Sequence, residues 1–370
     1  MTWLAVPALA ATAYWVLVIV AAWRWRGQRP VAGARDAWQP VSILKPVHGR
    51  DPHFWEAIRS HAVQEYPEFE ILFGLSDPND PAADDIRRLM AEFPKLDIRL
   101  IASRTKMPNG KVGVLADLAA EARHPLLLIN DSDIRVPPDY LRQVTVTRAQ
   151  PQTGLVTCLY RATSEHWPGR WEALGVATEF VPSVLVARML GSVEFALGST
   201  MLLRAEELRR MGGFAAIGEY LADDYQLGRH ILGLGLRVVF APVIVETHLG
   251  GETWGEVWRH QLRWSRTIRA SRAGGYFGYL VTHATFWGLM ALAAGAWQAG
   301  TAALVTRLLA GMYVAGGVLR DGCAVRRGWL VPFRDLWGFV IWVCGAGGRT
   351  VEWRGERIRI SRGGKILKDL

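Results

Sequence analysis

Cysteine is nearly absent from this chain. Three occur in 370 residues, Cys158, Cys323 and Cys344, far apart and without the paired spacing of metal ligands, which excludes a disulfide framework and a zinc module alike. Charge is missing from three long stretches. Leu4 to Trp23 carries none over twenty residues, and as a helix that run measures about 30 Å, the thickness of a bilayer core. Tyr276 to Trp297 is a second such run, holding only His283, and Ala299 to Leu319 a third, interrupted by Arg307 alone. A secretory signal peptide fits the first run poorly, since no basic residue precedes it and no small-x-small cleavage site follows. Internal repeats and low-complexity segments are also lacking.

Where charge does occur, it flanks the apolar runs. Arg24, Arg26 and Arg29 follow the first, and Arg320, Arg326 and Arg327 follow the third, so the positive-inside rule places both ends in the cytoplasm. The net charge of +9 raises the possibility of nucleic acid. Its clustering beside apolar runs and in the tail "WRGERIRISRGGKILK" instead suits anionic headgroups, so we expect a lipid bilayer and no nucleic acid as partner. Seventeen tryptophans point the same way, because indole favours the membrane interface. Arg307 inside a spanning helix would snorkel, pair with an acid or line a polar cavity.

Between Pro40 and Thr247 short apolar runs bounded by breakers alternate with helix-forming stretches. "PVSILKPV", "FEILFGLSD", "DIRLIAS" and "PLLLIND" read as strands, which predicts an α/β fold with a largely parallel sheet covered by helices. Asp77 then ends the second strand and Asp131 the fourth, the side of an open α/β sheet where ligands bind. Further on, "GLVTCLYR" reads as a strand, Arg170 to Leu190 as a helix, and "EFALGSTMLLR" as a strand interrupted at Gly198 and Ser199. Asp223 and Asp224 open a helix that feeds another strand. "TWGEVWRHQLRWSRTIRASR" reads as an amphipathic, basic helix lying on a membrane surface. The expected layout is an N-terminal transmembrane helix at 1–25, a cytosolic catalytic domain at 36–250, an interfacial helix at 251–275, a transmembrane hairpin at 276–320, a re-entrant or interfacial segment at 331–348 and a basic tail at 349–370.

"NDSDIRVPPDY" ends a buried strand on two carboxylates one residue apart. Asp131 and Asp133 either cap the next helix or hold a cation; as hard oxygen ligands they suit Mg2+ or Mn2+, whose shell is completed by phosphate oxygens. Asp223 and Asp224 likewise suit the first turn of a helix, whose dipole favours acids. Lys111 is either a solvated helix charge or a neighbour of phosphate.

Taken together, "VSILKPVHG", "GLSDPNDPA", "NGKVGVL", "NDSDIRVPPDYL", "ADDYQLG" and "HQLRW" in that order make the chain resemble the membrane-bound inverting glycosyltransferases of the GT-A fold. These include the ceramide glucosyltransferases and bacterial hopanoid-associated relatives. The resemblance covers Pro40 to Ile268 and the flanking membrane segments. It implies a Rossmann-like nucleotide-diphosphosugar transferase domain in which Asp77 meets the uridine, Lys111 the nucleotide or diphosphate, and Asp131 with Asp133 a Mn2+ or Mg2+ ion and the diphosphate. Asp224 would be the base that deprotonates the acceptor hydroxyl, and His260, Arg263 and Trp264 would lie near diphosphate and acceptor. Two positions depart from the family: His260 stands where Gln or Arg is usual, and Gly113 where a polar residue is expected.

The resulting expectation is a hexosyltransferase of an inner bacterial membrane with a cytoplasmic catalytic domain. It would move glucose from a UDP-sugar, UDP-glucose, to a lipid hydroxyl such as that of ceramide. The alternative pair is UDP-GlcNAc and a hopanoid polyol. A polysaccharide synthase would need more spanning helices, and a non-catalytic nucleotide-sugar binder would not need to keep the acids at positions 77, 131 and 224.

Overall fold

The computed structural model describes residues 3–28, 38–353 and 355–367. Arg29, the first residues of the expected catalytic domain at 36–37 and residues 354 and 368–370 of the tail lie outside the described residues. The chain opens with α1 (Ala5–Arg26) and continues through β1 (Val41–Val47), α2 (Phe54–Ala62), β2 (Phe69–Leu75), α3 (Ala82–Glu92) and β3 (Asp97–Ala102). Next come α4 (Gly110–Glu121), β4 (Leu126–Ile129), β5 (Ile134–Arg135), α5 (Tyr140–Arg148) and β6 (Thr153–Thr163). Two helices, α6 (Trp167–Gly175) and α7 (Val181–Met189), precede β7 (Met201–Arg204), α8 (Ala205–Arg210), α9 (Asp223–Gly233) and β8 (Arg237–His248). The last third holds α10 (Trp254–Ser271), α11 (Ala273–Gly278), α12 (Ala284–Ala293), α13 (Trp297–Tyr313), α14 (Gly322–Arg326) and α15 (Val331–Gly345). It closes with β9 (Thr350–Trp353), β10 (Glu356–Ile360) and β11 (Ile366–Leu367). Contacts divide the chain into a sheet unit, Arg29–Tyr160 with Glu194–His248, and a helical unit, Met1–Gln28 with Arg161–Val193 and Leu249–Leu370.

The sheet unit is built on eight strands in the order β3-β2-β1-β4-β7-β6-β8-β5. Strands β3, β2, β1 and β4 run parallel, whereas β7 pairs antiparallel with β4 and β6 and β5 with β8. Parallel strands covered on both faces are mostly apolar. All seven residues of β1 and all four of β4 are buried, and Ile43, Ile71, Phe73 and Leu128 join Tyr140 and Val144 in one core. The expected strand over "EFALGSTMLLR" is shorter than its text: only Met201–Arg204 is extended, because Leu197 and Thr200 bridge across a tight turn.

In the helical unit α1 packs along α7, α12 and α13, and α10 along α15. Small residues make close approach possible: Ala8, Ala11 and Ala22 are buried on α1, and Gly300 lies so near Gly288 that an added Cβ would meet the Gly288 carbonyl at 2.7 Å. Such small-residue contacts are how helices associate where no water drives them together. Arg307 resolves by pairing. Its Nε lies 2.9 Å from both Asp335 oxygens and its Nη2 2.5 Å from Oδ1, while the guanidinium carbon sits 4.0 Å from the Trp15 ring centroid. Asp335 comes from the 331–348 segment, which forms the single helix α15.

Two helices, Ala5–Arg26 and the continuous Trp297–Val318, are long and apolar enough to cross a bilayer. The run from Tyr276 to Trp297 is not one helix. Gly278 weakens its start, at about 1 kcal/mol relative to alanine. The Thr282 carbonyl receives the Trp15 indole N–H at 2.8 Å instead of a helical amide. The chain therefore passes from α11 through a 3-10 turn over Tyr279–Thr282 before α12. The expected helix from Arg170 to Leu190 is continuous to Met189 but carries a π turn over Val176–Phe180; Pro182 lacks the N–H that an α-helix would give to Thr178.

Candidate functional site

Asp131 follows β4 by two residues, and Asp77 follows β2 by two. Both strands flank β1 in parallel, with Leu75 level with Val47 and Ile129 level with Leu44, so both acids follow the carboxyl ends of their strands, Asp77 three residues further along the strand direction than Asp131. Asp77 is exposed and accepts the Asn79 amide at 2.9 Å. Neither Asp131 nor Asp133 caps a helix. The next one starts only at Tyr140, after Asp139.

The site is drawn together by Lys111. Asn109 caps α4, its Oδ1 accepting the amides of Lys111 at 3.1 Å and Val112 at 3.3 Å. From that first turn Lys111 Nζ reaches Asp131 Oδ1 at 2.6 Å and Asp223 Oδ2 at 3.1 Å. Burial lowers the lysine's proton affinity, but the charges of Asp131 and Asp223 more than offset this and hold its ammonium above the ordinary lysine range. One cation thus ties the β4 edge to the start of α9, where Asp223 and Asp224 occupy the first turn after Ala222.

Gly113, the departure noted from sequence, has a steric reason. An added Cβ would meet the Thr105 carbonyl at 2.5 Å. The loop before α4 crosses the helix there and is fastened by Asp117, whose oxygens accept from Ser103 Oγ at 2.7 Å, Arg104 N at 2.8 Å, Thr105 N at 3.0 Å and Thr105 Oγ1 at 2.5 Å. Gly198 makes similar room: a Cβ there would lie 2.7 Å from Asp131 Oδ2.

The remaining carboxylates are poised rather than paired. Burial, then the charge of Asp131, pushes Asp133 up to about 7, although Thr247 Oγ1 donates to its Oδ2. Burial, then the charge of Asp223, likewise pushes Asp224 up to about 7, and its Oδ1 accepts the Tyr225 amide at 2.7 Å. Among the described residues no group of three or more His, Cys, Asp or Glu side chains is arranged to hold a metal ion. Asp131 and Asp133 nevertheless fit one that keeps several outside ligands. Two crowded carboxylates, one driven toward protonation by burial and then by its neighbour's charge, are what a divalent cation relieves, and Mg2+ is typically held by one or two carboxylates plus phosphate and water.

Two participants were missed from sequence. Lys45, fully buried on β1, donates to the Asp131 carbonyl at 3.1 Å and lies 3.5 Å from His61 Nε2. Burial pushes it down to about 7 against the pull of Asp133 and Asp131, while burial and Lys45 hold the His61 imidazole well below its usual range. The available signal was a lone cation inside an apolar strand. The second is Ser132, between the two acids, which donates to Asp51 at 2.6 Å and ties their loop to the β1–α2 connection.

His260, Arg263 and Trp264 belong to the helical unit, on α10. His260 Nδ1 is 2.5 Å from Glu172 Oε1, and its ring is 4.8 Å from that of Trp264, which also meets Phe180 at 5.9 Å. Arg263 is half-buried one turn after His260.

Among known proteins, ceramide glucosyltransferase 3 of Caenorhabditis elegans is 29% identical over 200 residues, covering 53% of this chain and 43% of that protein. Ceramide glucosyltransferase 1 of the same species is 27% identical over 204 residues, covering 54% and 44%. The match thus spans less than half the length of either relative. A mannosyltransferase of Pyrobaculum calidifontis, solved with GDP-Man and Mn2+, aligns with a TM-score of 0.56 at 20% identity over 93% of this chain and 97% of its own, which establishes a shared GT-A-like fold. The family model described as glycosyl transferase family 21 matches residues 3–366, nearly the whole sequence, and the chain belongs to that family.

Proposed function

We propose that this protein transfers a hexose from a nucleotide-diphosphate sugar, UDP-glucose in the first instance, to the hydroxyl of a membrane lipid such as ceramide, with inversion at the anomeric carbon. The observation that carries this reading is the cluster in which Lys111 bridges Asp131 and Asp223 beside Asp224. Lys111 offers an ammonium to phosphate oxygens once its acids are otherwise engaged. Asp224 is the base: an alcohol is a poor nucleophile, and a carboxylate pushed up to about 7 both exists ionised near neutrality and takes a proton readily. Asp77, beyond the carboxyl end of β2, would meet the nucleoside. Asp131 and Asp133 would hold Mn2+ or Mg2+, which would supply positive charge against the departing diphosphate.

The two long apolar helices make a membrane acceptor reasonable, since confining enzyme and lipid to one surface raises their effective concentration. With the basic residues beside them, we place the protein in the bacterial inner membrane with the sheet unit cytoplasmic. The test is incubation of the purified protein with labelled UDP-sugars and extracted lipids, with and without chelator. Label in the lipid phase, lost on chelation and restored by Mn2+ or Mg2+, is expected. Long polymer, or nucleotide binding without transfer, would refute the assignment.

A further inference from the structure

We propose that Lys45 is a positioning residue that fixes the Asp131–Ser132–Asp133 turn for the divalent cation; this rests on the transferase reading and names what holds its metal-binding acids in place. Lys45 acts through the main chain. Its Nζ donates to the Asp131 carbonyl at 3.1 Å. Lys111 takes the carboxylates of Asp131 and Asp223, whereas Lys45 pairs with no carboxylate among the described residues and leaves both acids of the turn open to an ion.

The peptide plane between Asp131 and Ser132 sets how the two acids face each other, because ψ of the first residue and φ of the second turn with it. The groups on either side are tied already. Asn130 Nδ2 donates to the Ser199 carbonyl at 2.7 Å and to the Tyr140 hydroxyl at 3.0 Å. Ser132 Oγ donates to Asp51 at 2.6 Å, and Thr247 Oγ1 donates to Asp133. Besides Lys45, the Asp131 carbonyl receives the Ile134 amide across the turn, at 3.4 Å. Without Lys45 the plane rests on that longer bond.

A merely space-filling residue would not need an amino group here. Every residue of β1 is buried and Lys45 fully so, and methionine would fill a similar volume with no polar group to satisfy. The fold supplies a second acceptor instead. His61 Nδ1 lies 3.0 Å from the Ala57 carbonyl; a carbonyl only accepts, so Nδ1 carries the proton and Nε2 turns its lone pair toward Lys45 Nζ, 3.5 Å away. The role calls for an N–H and not for a charge, since an amine and an ammonium both donate.

Groups that orient metal ligands from behind typically change metal affinity about 10- to 100-fold when removed. The test uses the full-length protein in detergent with saturating UDP, Mn2+ binding read from the EPR signal of the free ion, and thermal melting alongside. Lys45→Met with His61→Leu removes donor and acceptor together and puts apolar groups of similar size in their place. The melting temperature should hold, Mn2+ binding should weaken by about 10- to 100-fold, and UDP affinity in the absence of metal, from calorimetry, should not move. Should the double variant not fold, Lys45→Met alone is measured in the same way. Failure of both to fold would make Lys45 a core residue and overturn the proposal. So would unchanged Mn2+ affinity in a folded variant, an equal loss of metal-free UDP affinity, or a wild type that binds no Mn2+. Mn2+ binding that depends on Lys45 in a protein that transfers no sugar keeps this role and overturns the transferase reading instead.

Discussion

At the scale of single residues, the reading depends on Asp224 being a base rather than a structural acid. Asp223 and Asp224 are adjacent acids, yet only Asp223 has Lys111 against its carboxylate. Burial and that neighbour leave Asp224 at about 7. Asp224→Asn keeps the shape and the hydrogen bond from Tyr225 while removing the proton acceptor. Turnover should fall roughly 100- to 10,000-fold with UDP affinity, measured by calorimetry, unchanged; loss of affinity in proportion to turnover would show a binding role instead. The sign of the pH effect follows. A base works ionised, so wild-type kcat/KM should climb with pH through about 7 and level off above it, and the variant's residual activity should lack that step.

Elements show which parts of the fold and the site were legible. Strands β1, β2 and β4 announce themselves because burial on both faces favours apolar runs, whereas β3 is the half-buried edge strand, and Asp77 and Asp131 could be placed because they sit directly after such runs. Legibility fails where a long-range partner overrides the local pattern. The Trp15 indole takes the Thr282 carbonyl from 267 residues away, and no local periodicity near Thr282 records that. Lys45 is a lone cation within an apolar strand, and only the fold brings the Asp131 carbonyl, 86 residues away, to its ammonium.

Asp117 is another long-range feature, since from sequence it is one polar residue on α4. Burial raises its proton affinity, but the hydrogen bonds from the 103–105 loop more than offset this and hold it at about 2. A carboxyl depressed from 3.8 to about 2 stabilises the fold fully above the unfolded value, and that contribution disappears as pH falls from about 4 to 2. Asp117→Asn should therefore lower the melting temperature at neutral pH and narrow its gap to wild type as pH falls through that window. A gap independent of pH would deny the carboxylate this role. Between α13 and α15 the corresponding tie is Arg307 with Asp335. Removing one partner of a buried pair typically costs about 3–5 kcal/mol, so Asp335→Asn should sharply lower thermal stability in detergent. Arg307→Met with Asp335→Leu should recover much of the loss, and a double variant no better than the single would contradict the pairing.

For the whole molecule, the net charge of +9 becomes informative through its placement. Arg24 and Arg26 fill the last turn of α1, and Arg26 Nη1 donates to the Tyr313 hydroxyl at 3.3 Å, close to the end of the second long apolar helix. Arg320, Arg326 and Arg327 follow that helix directly. A membrane orientation that put both clusters outside would oppose the positive-inside bias at two points, so the expected outcome is that both helix ends face the cytoplasm. Cys323 lies within the second cluster and is exposed, whereas Cys158 is buried. The other exposed cysteine, Cys344 on α15, is removed by Cys344→Ser, leaving Cys323 as the reactive thiol. A membrane-impermeant maleimide should then label the protein in inverted vesicles and not in intact spheroplasts. Labelling from the outer face alone would reverse the orientation and place the sheet unit away from cytosolic nucleotide sugars, while labelling in both preparations would show that this segment is not sealed behind a membrane.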